Sequence, residues 1–153
     1  YQDLEKGHPF SFELSRFAEV KKDTFALAEP HWMYIYYPRW DAFIQLTYKS
    51  VGGDRKRLDK MIRDSYILAS KHQMKANRIE DAVLTTRDGR KASIIELEGE
   101  VATPFQFFAT DSTTHFLRGA VYLNTAMKND SLAPVIRYIK QDALHLIQTL
   151  QWK

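Results

Sequence analysis

The chain of 153 residues contains no cysteine. This absence excludes disulfides, thiol catalysis and cysteine-ligated metal sites, but it leaves the compartment open because cysteine-free proteins occur everywhere. No apolar run approaches the roughly 20 residues that a membrane-spanning helix needs, and no charged-then-apolar signal segment opens the chain. Because the first residue is Tyr1 rather than methionine, we expect that a leader has been removed.

A strong charge of one sign is also missing. Lys and Arg number 22 against 19 Asp and Glu, so the net charge is +3. The basic residues are scattered, with dense clusters only at Lys21–Lys22 and Arg55–Arg57. A surface that follows a nucleic-acid backbone normally needs a larger basic patch. We therefore expect no nucleic-acid partner.

Periodic segments fill most of the chain, with few glycines and prolines and no linker between them. Alternation of apolar and polar residues predicts about six or seven strands, and a 3.6-residue period predicts two long helices. The first predicted helix covers 55–76 and follows Asp54, which has the chemistry of an N-cap. The second predicted helix covers 132–152. It is capped by Asp130 or Ser131 and has Pro134 in its first turn. The predicted strands are 10–14, 31–37, 42–51, 77–86, 91–101, 103–110 and 114–124.

These elements predict an α+β fold, an antiparallel sheet with the two long helices packed on it. A chain of this length with 44% hydrophobic residues can bury one sizeable core. We therefore expect residues 1–153 to form a single domain.

The segment 110–115, TDSTTH, brings an aspartate, a serine and a histidine close together. A serine nucleophile needs a base within reach and usually flanking glycines on a strand-to-helix turn, and Ser112 has neither glycine nor helix after it. Short polar side chains between two strands instead bond to their own backbone in a hairpin. We interpret the segment as a structural turn and predict no catalytic residue in it.

Carboxylates and histidines could in principle support hydrolysis or metal binding. Glu96, Glu98 and Glu100 alternate with apolar or small residues, which is typical of the solvated face of a strand. None of the five histidines has the spacing of a metal-ligand motif. We predict neither metal nor cofactor, and His8 with His31 is the one pair that we would test.

The stretch 32–40, WMYIYYPRW, is unusually aromatic. Strand alternation must send some of its rings to each side of a sheet. If helices cover both faces, the rings are core; if not, they form a patch suited to a protein partner or a glycan. The candidate contact residues are Trp32, Tyr34, Tyr36, Tyr37 and Trp40.

Arg118 is a further candidate contact, because alternation in HFLRGAVYL places it among apolar neighbours. If Leu117, Gly119 and the following odd-numbered residues line one face, Arg118 lies on the other. A guanidinium there must be paired or lie over a ring. We favour an ion pair with Glu or Asp of a neighbouring element over a partner contact, and expect Gly119 to allow a close approach.

Several stretches together resemble a known family. They are TDSTTHFLRGAVYLN, DSLAPVI, LIQTLQWK, KHQMKAN and ATPFQFF, and from about Phe10 to Lys153 the chain is similar to the GldD type of gliding-motility lipoprotein of Bacteroidetes. The element order is also similar to the Mog1/PsbP-like sandwich, which is an analogy of fold and does not settle function.

The resemblance implies a non-enzymatic lipoprotein on the periplasmic side of the cell envelope, held at a membrane by an N-terminal lipid outside this chain. It implies a binding or scaffold role in gliding motility and the type IX secretion machinery, with other envelope proteins as partners. The family has no established catalytic residue or cofactor to carry over. The alternative is an envelope protein that interacts with peptidoglycan or another glycan, or hydrolyses it.

Overall fold

The structure is a computed structural model that describes residues 1–70, 76–99, 104–123 and 129–153. Its two helices are α1 (Arg55–Ser70) and α2 (Asn129–Thr149). Neither described helix combines the length and the apolar character that crossing a membrane requires. The strands are β1 (Gln2–Asp3), β2 (Phe10–Ser11), β3 (Glu13–Leu14), β4 (Glu19–Lys22), β5 (Met33–Tyr37), β6 (Ala42–Ser50), β7 (Ala76–Thr85), β8 (Lys91–Gly99), β9 (Phe105–Thr110), β10 (His115–Leu123) and β11 (Gln151–Trp152).

Seven of the strands form one antiparallel sheet in the order β4-β5-β6-β10-β9-β8-β7. The chain runs outward to inward through β4, β5 and β6, and then α1 leads it to the far edge at β7. Successive hairpins bring it back until β10 lies beside β6 in the middle of the sheet. The predicted α+β fold, with an antiparallel sheet and two helices, is confirmed.

The first face of the sheet is covered completely around its centre. Helix α2 lays its apolar stripe on this face, and the N-terminal residues Phe10, Phe12 and Leu14 complete the cover. Inward-facing residues of five strands meet them, so that one continuous core results. The α2 members of this core, each at most 1% exposed, are Ile139, Ala143, Leu146 and Ile147, and Leu150 follows directly after the helix.

The second face is covered only in part. Helix α1 packs over β9 and β10, where a smaller core joins Leu58 and Met61 of the helix to Phe108 and Phe116 of the strands. On β5 and β6 the residues that point to this side are only half-buried, while their neighbours that point to the first face are buried. The incomplete cover leaves a groove beside α1.

The ends of both predicted helices are wrong. Ala76 belongs to β7, where it pairs with Gly99, and residues 71–75 lie outside the described residues. Helix α2 ends at Thr149 because Trp152 pairs with Phe10 in a short antiparallel strand. The helix also begins at Asn129, which puts Pro134 beyond the first turn.

Two assignments near the N-terminus also differ. The segment predicted as strand 10–14 forms only the short strands β2 and β3, outside the large sheet. The edge of that sheet is formed instead by β4, a segment in which the sequence patterns predicted no strand. All four residues of β4 are exposed, so this strand lacks the alternation by which strands are recognised.

Candidate functional site

The groove between α1 and the second face has a volume of about 510 Å³, within the range of ligand sites in proteins. Its floor consists of Gln45 and Thr47 from β6 with Arg118 and Tyr122 from β10. Arg118 lies directly across from Thr47 in the antiparallel pair. The lining residues are Trp32, Gln45, Thr47, Lys49, Arg57, Lys60, Met61, Asp64, Ser65, Leu68, Phe116, Arg118 and Tyr122.

Arg118 occupies the floor of this groove, on the same face as Phe116 and Tyr122, as alternation predicted. Its Nη2 donates a hydrogen bond to Oε1 of Gln106 at 2.6 Å. Burial lowers the pKa of Arg118, and the neighbouring Tyr122 hydroxyl acts in the opposite direction. Arginine nevertheless stays protonated in proteins, so a half-buried positive charge faces the groove.

The predicted ion pair of Arg118 is wrong. Among the described residues its hydrogen-bonding neighbours are the neutral side chains of Gln106 and Tyr122, and no Asp or Glu lies within ion-pair distance. A guanidinium has five N–H donors, and these neighbours cannot use all of them. The remaining donors are available to water or to a ligand in the groove.

Other basic side chains surround the groove with different degrees of neutralisation. Lys49 Nζ lies 3.1 Å from Glu29 Oε2, and Lys60 Nζ lies 3.0 Å from Asp64 Oδ2. Arg57 has no ion pair within the part of the chain that the structure describes. The groove is therefore positive, with Arg57 and Arg118 as its uncompensated charges.

Aromatic side chains continue the second face beyond the groove. Trp32 lines the groove, and its indole N–H donates to the carbonyl of Tyr48 at 2.9 Å. Tyr34 packs edge-to-face on Phe43, with ring centroids 5.1 Å apart. Phe43 in turn stacks on Tyr122 at 5.3 Å. The half-buried rings thus connect the groove to the open part of the sheet.

The other aromatic candidates lie elsewhere. Tyr36 is half-buried near the strand end, where its hydroxyl donates to Asp41 Oδ1 at 2.9 Å. Tyr37 points to the first face, is 1% exposed and donates to Oδ2 of Asp142, so it cannot serve as a partner contact. Trp40 packs against Tyr138 of α2, with centroids 5.0 Å apart. The aromatic stretch is therefore divided between core and surface.

The segment TDSTTH forms the turn that sequence analysis predicted. Oδ1 of Asp111 accepts hydrogen bonds from the backbone N–H groups of Thr113, Thr114 and His115 at 3.0, 2.8 and 2.9 Å. Ser112 is exposed and has a left-handed backbone with φ of 70°. The aspartate therefore caps the turn and does not orient a histidine ring.

The ring of His115 has its own partners. Its Nδ1 lies 2.6 Å from the Tyr48 hydroxyl, and its Nε2 lies 3.1 Å from the carbonyl oxygen of Lys153. The ring is also stacked on Trp152. These contacts place the histidine in the packing between β10 and the C-terminal strand, away from Ser112.

His8 and His31 are brought together, with their Nδ1 atoms 3.0 Å apart. This is a hydrogen bond between two imidazoles, one as donor and one as acceptor. A third ligand is missing, since the described residues hold no group of three His, Cys, Asp or Glu able to bind a metal ion.

Glu96, which was assigned to a solvated face, is instead half-buried, and its Oε2 lies 2.7 Å from Nζ of Lys140 in α2. The side chain of Glu98 and all of Glu100 lie outside the described residues.

Sequence reasoning missed most of the groove. Gln45, Thr47 and Lys49 alternate with buried apolar residues along β6, and this alternation was a usable signal. Arg57 and Gln106 gave no such signal, because their positions depend on how α1 and β9 pack. Of the lining residues, only Arg118 and Trp32 were predicted as contact residues.

Comparison with solved structures matches the solution structure of cyanobacterial PsbP (CyanoP) from Synechocystis sp. PCC 6803. The two chains are 11% identical with a TM-score of 0.57, over 99% of this chain and 92% of that one. At this identity the likeness shows the fold alone. Comparison with curated protein sequences finds no match.

Comparison with protein families gives a match over nearly the whole chain. The family model of the gliding motility lipoprotein GldD covers residues 1–152. A lipoprotein family implies a membrane-anchored location in the cell envelope. The chain therefore belongs to the family of the gliding motility lipoprotein GldD.

Proposed function

We propose that this protein is a non-enzymatic binding component of the envelope machinery for gliding motility and type IX secretion in Bacteroidetes. It would act on the periplasmic side, anchored by an N-terminal lipid outside this chain, with other envelope proteins as partners. The family is not known as an enzyme family. The observation that carries the proposal is the groove beside α1, where Arg118 presents a charge without a carboxylate partner among the described residues.

The form of the groove supports binding. A chain selected only for stability would cover this face or place a neutral residue at position 118, because a half-buried charge is costly. Arg118 lowers that cost only through neutral neighbours, so an external partner would complete its hydrogen bonding. Half-buried rings next to the groove provide apolar contact area of the kind that interfaces use.

A glycan hydrolase has weaker support. Glycosidic hydrolysis usually needs two carboxylates at a defined separation. Among the described lining residues the groove offers one carboxylate, Asp64, which is already paired with Lys60. Binding to peptidoglycan without hydrolysis remains compatible with the groove and is an outcome of the test below.

The test is complementation of cells that lack their own copy with the full-length lipoprotein. Arg118→Ala should reduce both gliding and type IX secretion at normal protein level, whereas Arg118→Lys should restore them in part, because lysine keeps the charge but not the planar fork. Arg39→Ala is the matched control, since Arg39 is exposed and lies over the Trp40 ring at 5.6 Å. Full activity of Arg118→Ala would contradict the proposal.

Stability must be measured beside function. Arg118→Ala removes the donor to Gln106, so we expect a loss of about 1–3 kcal/mol in the free energy of unfolding. That loss leaves a folded protein if the total is about 5–15 kcal/mol. A photo-crosslinker at Thr47, compared with one at the exposed Val83 on β7, would then identify whether a protein or peptidoglycan contacts the groove.

A further inference from the structure

We infer that the groove beside α1 binds a short acidic peptide segment of a partner, with one carboxylate on Arg118. This inference rests on the proposed function and names the class of partner at the same site.

The groove carries an excess of positive charge. The lining contains four basic residues and one acidic residue. Two of the basic residues, Lys49 and Lys60, are neutralised by ion pairs. Arg57 and Arg118 remain without a carboxylate among the described residues, and they lie on opposite sides of the groove, one on the helix and one on the floor.

The side chain of Arg118 is suited to binding a carboxylate. Guanidinium presents parallel N–H donors that match a carboxylate in a bidentate pair. The bond to Gln106 fixes one end of the side chain at 2.6 Å, so part of the ordering needed for binding is already in place. A carboxylate entering the groove would meet a preorganised and poorly solvated cation.

The first turn of α1 also favours an acidic ligand. This turn contains Arg55, Lys56 and Arg57 and no acidic residue, although the positive end of the helix dipole disfavours cations there. Asp54 caps the turn through hydrogen bonds from the backbone N–H groups of Lys56 and Arg57 at 3.0 and 3.2 Å. An acidic ligand at the mouth of the groove would offset the remaining unfavourable charge.

The floor and walls favour a peptide over an alkyl chain. Gln45, Thr47 and Tyr122 offer polar groups along the floor, and an alkyl chain lying on them could supply no hydrogen-bonding partner. A peptide brings one N–H and one C=O per residue. Its apolar side chains could pack on Met61 and on Leu68, which is 39% exposed.

The experiment uses a substitution that fills the site from within. Thr47 is the cross-strand neighbour of Arg118, and such neighbours lie about 4.5–5.5 Å apart at Cβ. Thr47→Glu places a carboxylate next to the guanidinium, and Thr47→Gln is the neutral control of equal length. The probe is an octapeptide in which glutamate alternates with leucine, titrated into the full chain and followed by NMR at the Arg118 Nε–H and the Trp32 indole N–H.

The octapeptide should shift both signals of the wild type to saturation. A peptide with glutamine in place of glutamate should bind about tenfold or more weakly, the fold-change that corresponds to about 1.4 kcal/mol. Thr47→Glu should weaken binding of the acidic peptide by a similar factor relative to Thr47→Gln, while melting no lower than that control. This combination separates a blocked site from a damaged fold.

Three results would overturn the inference. They are no binding of the acidic peptide at millimolar concentration, equal binding of both peptides, or equal binding by the Thr47→Glu and Thr47→Gln variants. Binding of phosphatidylglycerol vesicles that depends on Arg118, without peptide binding, would replace the peptide by an anionic lipid. If the acidic peptide does not bind while Arg118→Ala is inactive in cells, the inferred ligand class is wrong and the proposed function stands. If Arg118→Ala is fully active in cells, the proposed function is wrong even when the peptide binds.

Discussion

Gly119→Ala should destabilise this protein through a single steric contact. Gly119 lies in the middle of β10 and pairs directly with Phe107 of β9. A β-carbon built on Gly119 would overlap the Cε1 and Cζ atoms of the Phe107 ring and lie 3.0 Å from Cε2. Carbon atoms prefer separations of about 3.5–4.0 Å, so the ring would have to move. The close approach expected at Gly119 is thus made by a side chain.

The size of the effect follows from the surroundings of the ring. Phe107 is 1% exposed, and in a close-packed core the ring cannot move without displacing its neighbours. Overpacking of this kind costs about 1–3 kcal/mol. Replacing glycine by alanine also stabilises by about 0.4–1 kcal/mol through the unfolded chain. We therefore expect a net loss of about 1–2 kcal/mol in the free energy of unfolding.

Urea denaturation followed by circular dichroism measures this loss. Phe107→Leu frees space, so the double variant should be no less stable than Phe107→Leu alone. The loss of stability in the double variant should therefore be smaller than the sum of the two single losses. Gly89→Ala is the control: nothing lies near its β-carbon, but its φ is 80°, so its loss comes from backbone strain and should not change with Phe107→Leu. A Gly119→Ala variant within about 0.5 kcal/mol of the wild type, or additive losses, would refute the steric argument.

Three further changes test the turn, the buried acid and the histidine pair. Ser112→Ala should change stability by less than about 0.5 kcal/mol because the side chain is exposed, and labelling of Ser112 by a fluorophosphonate probe would contradict the turn interpretation. Burial raises the pKa of Asp142 above its usual 3.8, so ionisation of this carboxyl costs stability in the folded state; Asp142→Asn should gain stability relative to the wild type in urea as the pH is raised from about 3.8 to 7. Burial, and to a smaller extent the nearby His31, lower the pKa of His8 below 6.5, so the stability of the protein should decrease as the pH falls through 6.5. The decrease should be smaller in His31→Asn, and asparagine tolerates the φ of 71° at this position. Zinc or a chelator should leave the unfolding temperature unchanged. A shift of several degrees that disappears in the His8→Ala, His31→Ala double variant would contradict this prediction.

Local patterns predicted those elements whose own residues alternate between core and surface. Strands β5 and β6 show this alternation, and Asp54 caps α1 as its chemistry indicated. Strand β4 was missed because all of its residues are exposed, and only its pairing with β5 makes it a strand. The end of α2 was misplaced because Trp152 pairs with a residue more than a hundred positions away, which no local period can indicate.

The candidate site shows the same division. Alternation placed Arg118 on the correct face, because it depends only on β10. The identity of its neighbours depends on the register of β9 against β10, which brings Gln106 opposite Ala120 and within reach of the guanidinium. An ion pair was expected because a buried positive charge is usually paired with a carboxylate. The register instead places the neutral amide of Gln106 beside the guanidinium.

The two faces of the sheet separate the requirements of folding from those of binding. On the first face α2 packs its apolar residues against the core, and the buried Asp142 receives a hydrogen bond from Tyr37, so substitutions there should act through stability. On the second face α1 covers β9 and β10 and leaves the floor of the groove half-buried, so Thr47 and Arg118 can change the charge of the surface with smaller effects on the core. A variant that loses cellular function but melts normally should therefore map to the second face. A variant on the first face that loses cellular function but melts normally would mean that α2 also contacts a partner.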